Sequence, residues 1–400
     1  MTRTALVSGA SIAGLTTAYW LARTGWDVEV VERFDEFRAG GQNVDVRGTA
    51  HDVIAKMGIT DQVRAHNTTE EGTSYIGGRG QVLGGISADQ EQDGPTAELE
   101  ILRGDLAKIV LDALPSTVTI RYGDRISHLE NRHASVYTEF ASGTRSDYEL
   151  VVIAEGVRSK TRDLVFGDQV DKRELGLQMA YGTIPRTAAD DRWWRWYTAS
   201  GRRGITLRPD NVGTTRATLA YIDREQSISE LSVEEAKQKL AHVFADVGWE
   251  ASRITNGFAQ SADVYMDSLT QIRMPHWSNG RIVVTGDSAW CVTPLGGGGT
   301  AIALTGGYVL AAYLSQADVD DYTEALQKYE QWMRPLVSGV QDLPKGVPDL
   351  FYPNSRVGVR VLRGVQLALT AKPFRKIGAS FAHVARTDQQ LPDIRTKAAA

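Results

Sequence analysis

The chain has a single cysteine, Cys291, in 400 residues. One thiol excludes an intramolecular disulfide and a cysteine-based metal site, and scarce cysteine accords with a reducing cytoplasm. No apolar run reaches the ~18 residues a spanning helix needs, so no membrane contact is expected. The N-terminus enters a strand pattern without the charged and apolar regions of a secretory signal. Basic excess is also missing. The formal net charge is -5, which leaves no positive field for nucleic acid. The histidines His51, His66, His128, His133, His242, His276 and His383 show no paired ligand spacing, so no metal is expected. Repeats and low-complexity linkers are absent. What remains is a packed chain, 42% hydrophobic and 23% charged, long enough for roughly two or three ordinary domains.

The stretch that organises the sequence lies at its start. Residues 4–8 read as a short buried strand, and a turn follows at Gly9-Ala10-Ser11-Ile12-Ala13-Gly14. A helical run covers 11–23, with Ile12, Leu15, Tyr19 and Ala22 on one face. A second apolar strand, 28–31, ends at Glu32-Arg33. Strand, tight turn, helix, strand and acid form the layout that lays a dinucleotide across a helix N-terminus. Free N–H groups and the helix dipole meet the pyrophosphate there, and Glu32 accepts from a ribose diol. Gly9 permits the turn and Gly14 a close helix–strand approach. Ser11 stands where the motif's middle glycine would be. The pattern does not separate NAD from FAD.

Further along, a loop carries Arg38, Gly40-Gly41 and Asp45, and a helix over 50–57 stops at Gly58. Glycines alternating with apolar residues over 74–99 predict a hairpin. A helix is expected over 103–114, and strands over 118–122, 136–140 and 148–153. Strands at 176–183, 195–199, 204–208, 216–222 and 265–273 flank a helix over 232–247 capped by Ser232. Trp193-Trp194-Arg195-Trp196-Tyr197 places Trp194 and Trp196 on one face of its strand. Arg208 and Arg216 are candidate partners for an anionic or enolate substrate.

The second chemical signal is a buried strand over 281–287 ending on Asp287. Pro294 and the run Gly296-Gly297-Gly298-Gly299 follow, then Thr300 and a helix over 301–314. Successive glycines bare the main chain so that a flat ligand can lie against it, and the helix dipole at Thr300 favours negative charge there. Asp287 is placed to bind a sugar-alcohol hydroxyl. Residues 318–400 read as mostly helical with breaks at Pro335, Pro344, Pro348, Pro353 and Pro373; 357–381 forms a basic, partly amphipathic helix packed across two domains, and 398–400 a frayed end.

These motifs, in this order, make the chain resemble the single-component FAD-dependent aromatic monooxygenases, with a para-hydroxybenzoate hydroxylase-like fold. The turn from Gly9 to Gly14 with Glu32, the run Ala154-Glu155-Gly156-Val157-Arg158-Ser159, and Gly286-Asp287 with Pro294 and the glycines carry the likeness. Spacing in the Arg38–Asp45 loop is nearest the tetracycline-inactivating, polyketide-tailoring branch. The resemblance implies an α/β architecture: a Rossmann-like three-layer FAD domain (1–73, 99–172, 276–332), an inserted, mostly antiparallel substrate sheet (74–98, 173–275), and a C-terminal helical segment (333–400).

It also implies cofactor contacts at Gly9, Ser11, Ile12, Ala13, Gly14, Glu32, Arg33, Asp45, Arg103, Asp287, Pro294, Gly297, Gly298, Gly299 and Thr300. Arg38 and Glu155 are its NAD(P)H candidates, although Glu155 replaces the usual aspartate. Trp196, Arg208 and Arg216 are the substrate candidates. The implied reaction hydroxylates an aromatic or polyketide-type phenol or enol through a flavin C4a-hydroperoxide, with O2 as oxidant and NADPH or NADH as reductant. The chemistry resides at the flavin, so no side chain is named as acid or base. A dehydrogenase or reductase of the same fold, and a flavin-containing binder that sequesters an aromatic ligand, are the alternatives. A monomer or small homo-oligomer is expected.

Overall fold

The computed structural model describes residues 3–88, 99–318, 321–344, 346–370, 387 and 389–395. Near-continuous apolar runs buried on both faces, such as Leu150–Ile153 and Ile282–Val284, are what a parallel sheet requires. They build a six-stranded sheet in the order Ser278–Asn279, Ile282–Val284, Leu150–Ile153, Arg3–Ser8, Trp26–Glu32, Val118–Tyr122. Every neighbouring pair is parallel except the edge strand Ser278–Asn279. Helices Ile12–Arg23 and Gly299–Leu314 pack against each other. A three-stranded antiparallel sheet, Ile126–Asn131, Val136–Phe140 and Arg145–Tyr148, completes this half.

The other half is a seven-stranded sheet in the order Val264–Arg273, Asp171–Pro185, Thr214–Ile222, Arg203–Pro209, Trp193–Ala199, Gly72–Ile76, Val82–Ser87. Its strands alternate, as a sheet with two different faces must. Tyr197, Ile205, Leu207, Leu219 and Ile184 join Leu240, Phe244, Ile254 and Phe258 in one core. That core lies beneath helices Val233–Val243 and Ala251–Gln260. The opposite face carries Trp194, Trp196, Thr206, Arg208, Arg216, Thr218, Tyr181 and Tyr265. A ribbon of two short strands, Asn43–Asp45 and Glu100–Leu102, stands apart from both sheets.

Several expectations need correction. The strand read over 148–153 is two strands of different sheets, because the chain turns at Glu149, whose N–H donates to Thr4 O at 3.0 Å. Strand Ile126–Asn131 is mostly exposed and polar, so it carries no alternation to read. Pro335 does not break its helix. Thr323–Gln341 runs through it, held by an apolar stripe that includes Leu326, Tyr329, Met333, Leu336 and Val340. Helix Arg356–Thr370 packs on Gly72–Ile76, Val82–Ser87 and Trp193–Ala199 of the substrate sheet; the remainder of the helix read to 381, Pro373 and the tail at 398–400 lie outside the described residues. The later segment 389–395 returns to the helices of the first half, with Pro392 O accepting from Tyr308 Oη at 2.9 Å and Gln390 O from Trp332 Nε1 at 3.3 Å. No helix among the described residues is long and apolar enough to cross a membrane.

The first strand–helix contact leaves no room for a side chain. A Cβ on Gly14 would stand 1.8 Å from Gly9 O. Gly14→Ala is expected to lower the stability of the cofactor-free protein by about 1–3 kcal/mol or more through overpacking. Gly339 is the control: it is exposed on helix Thr323–Gln341 with nothing within 4 Å of its Cβ position. Gly339→Ala is expected to raise stability by up to about 1 kcal/mol. Thermal unfolding of the two variants checks both signs.

Candidate active site

The turn after the first strand builds one end of a cleft. Gly9 has φ +110°, and a Cβ there would meet Ala154 O at 2.5 Å. Helix Ile12–Arg23 begins at Ser11 with no side-chain cap, so its first N–H groups are open to an anion. Glu32 closes the loop around them: its carboxylate accepts from Ala10 N at 2.8 Å and Phe34 N at 3.1 Å. Arg33 and Arg38 both lay guanidinium groups on the Phe34 ring, at 4.8 and 4.4 Å from its centroid.

Arg103 reaches over the same helix start, where its Nη2 donates to Ser11 Oγ at 2.6 Å. Its backbone N–H donates to Gln42 O at 2.9 Å, and Gly41, at φ +144°, admits its side chain, since a Cβ would stand 2.9 Å from Arg103 Cβ. Asp287 lies within electrostatic reach of Arg103. Its carboxylate opens to the cleft, yet enough protein surrounds it for lost hydration to raise its proton affinity; Arg103 opposes this and Asp267 adds to it. The Asp287 segment touches the helix start directly, because a Cβ on Gly286 would meet Ala13 Cβ at 2.6 Å.

Beyond Asp287, Pro294 opens the short helix Thr293–Gly296. Gly297 and Gly298 have φ +68° and +69°, and Gly299 starts the long helix, which has no side-chain cap and no acid in its first turn. Thr300 is half-buried in that turn. Bare main chain therefore faces the cleft at 297–299. Gly296 does something else: its Cβ position lies 2.6 Å from Val340 O, so its smallness serves packing.

The facing sheet supplies a wall. Its register aligns Tyr75, Trp196, Thr206, Thr218, Tyr181 and Tyr265 in one row. Tyr265 Oη donates to Asp267 at 2.7 Å, and Asp267 is paired with Arg158. The Trp194 and Trp196 rings lie 4.7 Å apart, and each Nε1 is buried with no acceptor among the described residues.

Arg208 and Arg216 build the wall instead of reaching out from it. Arg208 donates from Nε to Glu70 at 2.8 Å and from Nη2 to Glu100, and its guanidinium sits 3.8 Å from the Trp194 centroid. Arg216 donates from Nε to Asp210 at 3.1 Å and from Nη1 to Thr183 Oγ1 at 2.8 Å. Glu155 is likewise occupied. Its longer side chain accepts from Ser8 Oγ at 2.5 Å, Thr161 Oγ1 at 2.6 Å and Ser159 Oγ at 2.7 Å. It ties the first strand to helix Lys160–Phe166, where an aspartate would fall short.

Residues 2–343 match the family model described as FAD binding domain. The chain belongs to that family. Flavin-dependent monooxygenase eupH of Phoma sp is 32% identical over 389 residues, spanning 90% of this chain and 90% of that protein. The crystal structure of tetracycline destructase Tet(51) superposes with a TM-score of 0.81 at 28% identity, covering 98% of this chain and 100% of that one. Klebsiella pneumoniae HpxO complexed with FAD and uric acid shares the fold, with a TM-score of 0.76 at 20% identity over 95% of this chain and 96% of that one. The protein is an FAD-dependent monooxygenase of the single-component kind, on the tetracycline-destructase side.

The residues present fit FAD. The uncapped helix start and Arg103 suit its pyrophosphate, Asp287 a ribityl hydroxyl, and 297–299 the face of a flat ring. Asp45 offers a buried Oδ1 with no partner among the described residues. Sequence reading missed the acids around it. Glu70 and Glu100 share the guanidinium of Arg208, and Asp45 lies within its electrostatic reach with Arg47 3.4 Å away. Burial pushes the Asp45 carboxyl up to about 6, against the pull of Arg47 and Arg208. Burial pushes Glu70 up to about 8, opposed by Arg208 and reinforced by Glu100 and Asp45.

Arg103→Gln is expected to weaken FAD binding about tenfold or more, since a charge-assisted contact is worth roughly 1.5–3 kcal/mol; a flavin-fluorescence titration of the apoprotein measures it. A second prediction concerns pH. Glu70 holds its proton more tightly folded than unfolded, so the unfolded chain releases it first. The stability this contributes is full below the ordinary value of 4.5 and is lost as pH rises through about 8. Glu70→Gln, facing the same Arg208, Glu100 and Asp45, is expected to flatten the decline in melting temperature over that range.

Proposed function

We propose that the protein hydroxylates an electron-rich carbon of a phenol or enol in an aromatic or polyketide substrate, with NADPH or NADH as reductant and O2 as oxidant. One observation carries this reading: a continuous row of aromatic rings and hydroxyls on the substrate sheet lies on the face turned toward the cofactor domain. A flat, oxygen-rich ligand matches such a wall. Trp196 offers a ring for stacking, and Thr206 and Thr218 offer hydroxyls beside it. When bound, FAD takes electrons from the reduced nicotinamide and activates O2 for insertion of one oxygen atom.

The chain's own residues orient the two reactants and exclude water. Asp287 and the main chain at 297–299 hold one side of the cleft, and Trp196, Thr206 and Tyr181 the other. The uncapped start of helix Gly299–Leu314 favours negative charge on whatever lies against it. Arg38, exposed on Phe34 at the edge of the loop, is the reductant contact in this reading; Glu155 supports its helix. Arg208 and Arg216 act on the substrate through the wall they brace.

The test is a screen of tetracycline-like and other polyketide phenols for stimulated NAD(P)H oxidation, run under labelled O2 with product mass read alongside. One labelled oxygen atom in the product is expected. Turnover without incorporation makes the protein a dehydrogenase or reductase, and ligand binding without NAD(P)H consumption makes it a binder. Trp196→Ala is expected to raise KM about tenfold through lost stacking and apolar contact, with the flavin spectrum unchanged.

A further inference from the structure

Arg208 occupies the seam between the two halves. It belongs to strand Arg203–Pro209 of the substrate sheet, its side chain is 11% exposed, and Trp194 of the neighbouring strand lies against its guanidinium at 3.8 Å. The groups it bonds come from elsewhere. Glu70 lies in the connector just before Gly72–Ile76, and Glu100 opens one strand of the separate ribbon. Both carboxylates are 1% exposed.

The ribbon is the important member. It pairs Asp45 with Glu100 and Asn43 with Leu102, and Arg103 follows directly. A hydrogen-bonded pair of three-residue strands has little stability of its own, so its position depends on what holds it. The ties converge on Arg208. Glu100 takes Arg208 Nη2 on one oxygen, and on the other it accepts from Thr68 Oγ1 and from Asn43 Nδ2 at 2.6 Å. Asn43 Nδ2 also donates to the carbonyl of Pro209, the residue after Arg208, at 3.1 Å. Two of the three guanidinium nitrogens, Nε and Nη2, are thus committed to Glu70 and Glu100, and Trp194 covers a face of the group.

We propose that Arg208 is a positioning residue for the flavin: it fixes the Asp45–Arg103 ribbon to the substrate wall and thereby sets where two cofactor-holding side chains stand relative to Trp194 and Trp196. This rests on reading the cleft as the FAD site. The role is distinct from substrate binding, because the groups Arg208 bonds belong to the connector and to the ribbon that carries Asp45 and leads into Arg103.

The experiment titrates apoprotein with FAD and records flavin fluorescence and visible circular dichroism. Arg208→Gln is expected to weaken FAD binding about tenfold or more and to change the dichroism of the bound flavin, as loss of a buried charge-assisted bond predicts. Arg208→Lys, which keeps the charge but not the fork, is expected to recover part of the affinity, and Glu100→Gln to shift it in the same direction as Arg208→Gln. The control is Arg203→Gln on the same strand. Arg203 bonds Val243 O at 2.6 Å and Asp246 on the helix side, so its loss is expected to lower the melting temperature and leave FAD affinity within about twofold.

FAD affinity and dichroism in Arg208→Gln equal to wild type would overturn the proposal. So would equal losses in Arg208→Gln and Arg203→Gln at matched melting temperature, which would make the role merely structural. If Arg208→Gln does not fold, Arg208→Lys and Glu100→Gln decide by the same readouts. Wild-type protein that takes up no FAD overturns the site assignment itself, a failure seen before any variant is made.

Discussion

The main chain of helix Ile12–Arg23 comes within side-chain distance of the strand before it, and the rest of the cofactor half is arranged around that approach. Gly14 and Gly9 are side-chain-free because their backbones nearly touch, and Gly9 in turn leaves room for the carbonyl of Ala154 at the end of the next parallel strand. Three strand ends are thereby gathered at one helix start. Its unpaired N–H groups then face a place that Glu32, Arg103 and the Gly286–Asp287 turn can all reach. Burial of the apolar strands supplies the driving force; the glycines decide where it is spent.

The substrate half obeys a different constraint. Its sheet must be apolar on the helix side and chemically varied on the other, and strict alternation delivers both from one sequence. Tyr197 and Leu207 go to the core, while Trp196 and Arg208 beside them go to the cleft. The front face then divides by rows. One row offers rings and hydroxyls; the next, with Arg208 opposite Arg216, is neutralised by Glu100 and Asp210, with Glu70 bonded beside them, and closes the seam. Two neighbouring arginines would repel in isolation. Carboxylates from other segments make the pair tolerable, and those segments are held in return.

Elements with long, uninterrupted periodicity were legible in the chain itself. The strand–turn–helix at the start and the aromatic strand stand where pattern places them, and the hairpin's two strands fall at Gly72–Ile76 and Val82–Ser87; the strand read over 281–287 is shorter, Ile282–Val284, and Asp287 opens a helical turn instead of ending the strand. What could not be read is of two kinds. Ile126–Asn131 is nearly all solvent-facing, and helix Thr323–Gln341 tolerates a proline because its apolar stripe carries it; local pattern misreports both. The site chemistry was harder. Arg208, Arg216 and Glu155 looked available because sequence displays a charge but not its distant partners. Glu100 lies 108 positions from Arg208, and nothing near either residue announces the pairing. Gly296 was read with its three neighbours, although its own reason for being small is Val340 on another helix.

The parallel pairing of Trp193–Ala199 with Gly72–Ile76 has a consequence for engineering and for folding. Parallel neighbours cannot be joined by a tight turn, and here the intervening chain includes Glu100–Leu102, Val118–Tyr122 and Leu150–Ile153, all spent elsewhere in the molecule. The ligand-facing wall is therefore not a removable cassette. A chimera that swaps only the later strands would inherit a foreign hairpin along one edge of the sheet, so exchange of specificity between relatives requires transplanting two distant stretches together. The same threading makes the wall's pairing strongly non-local in sequence, the property that slows folding.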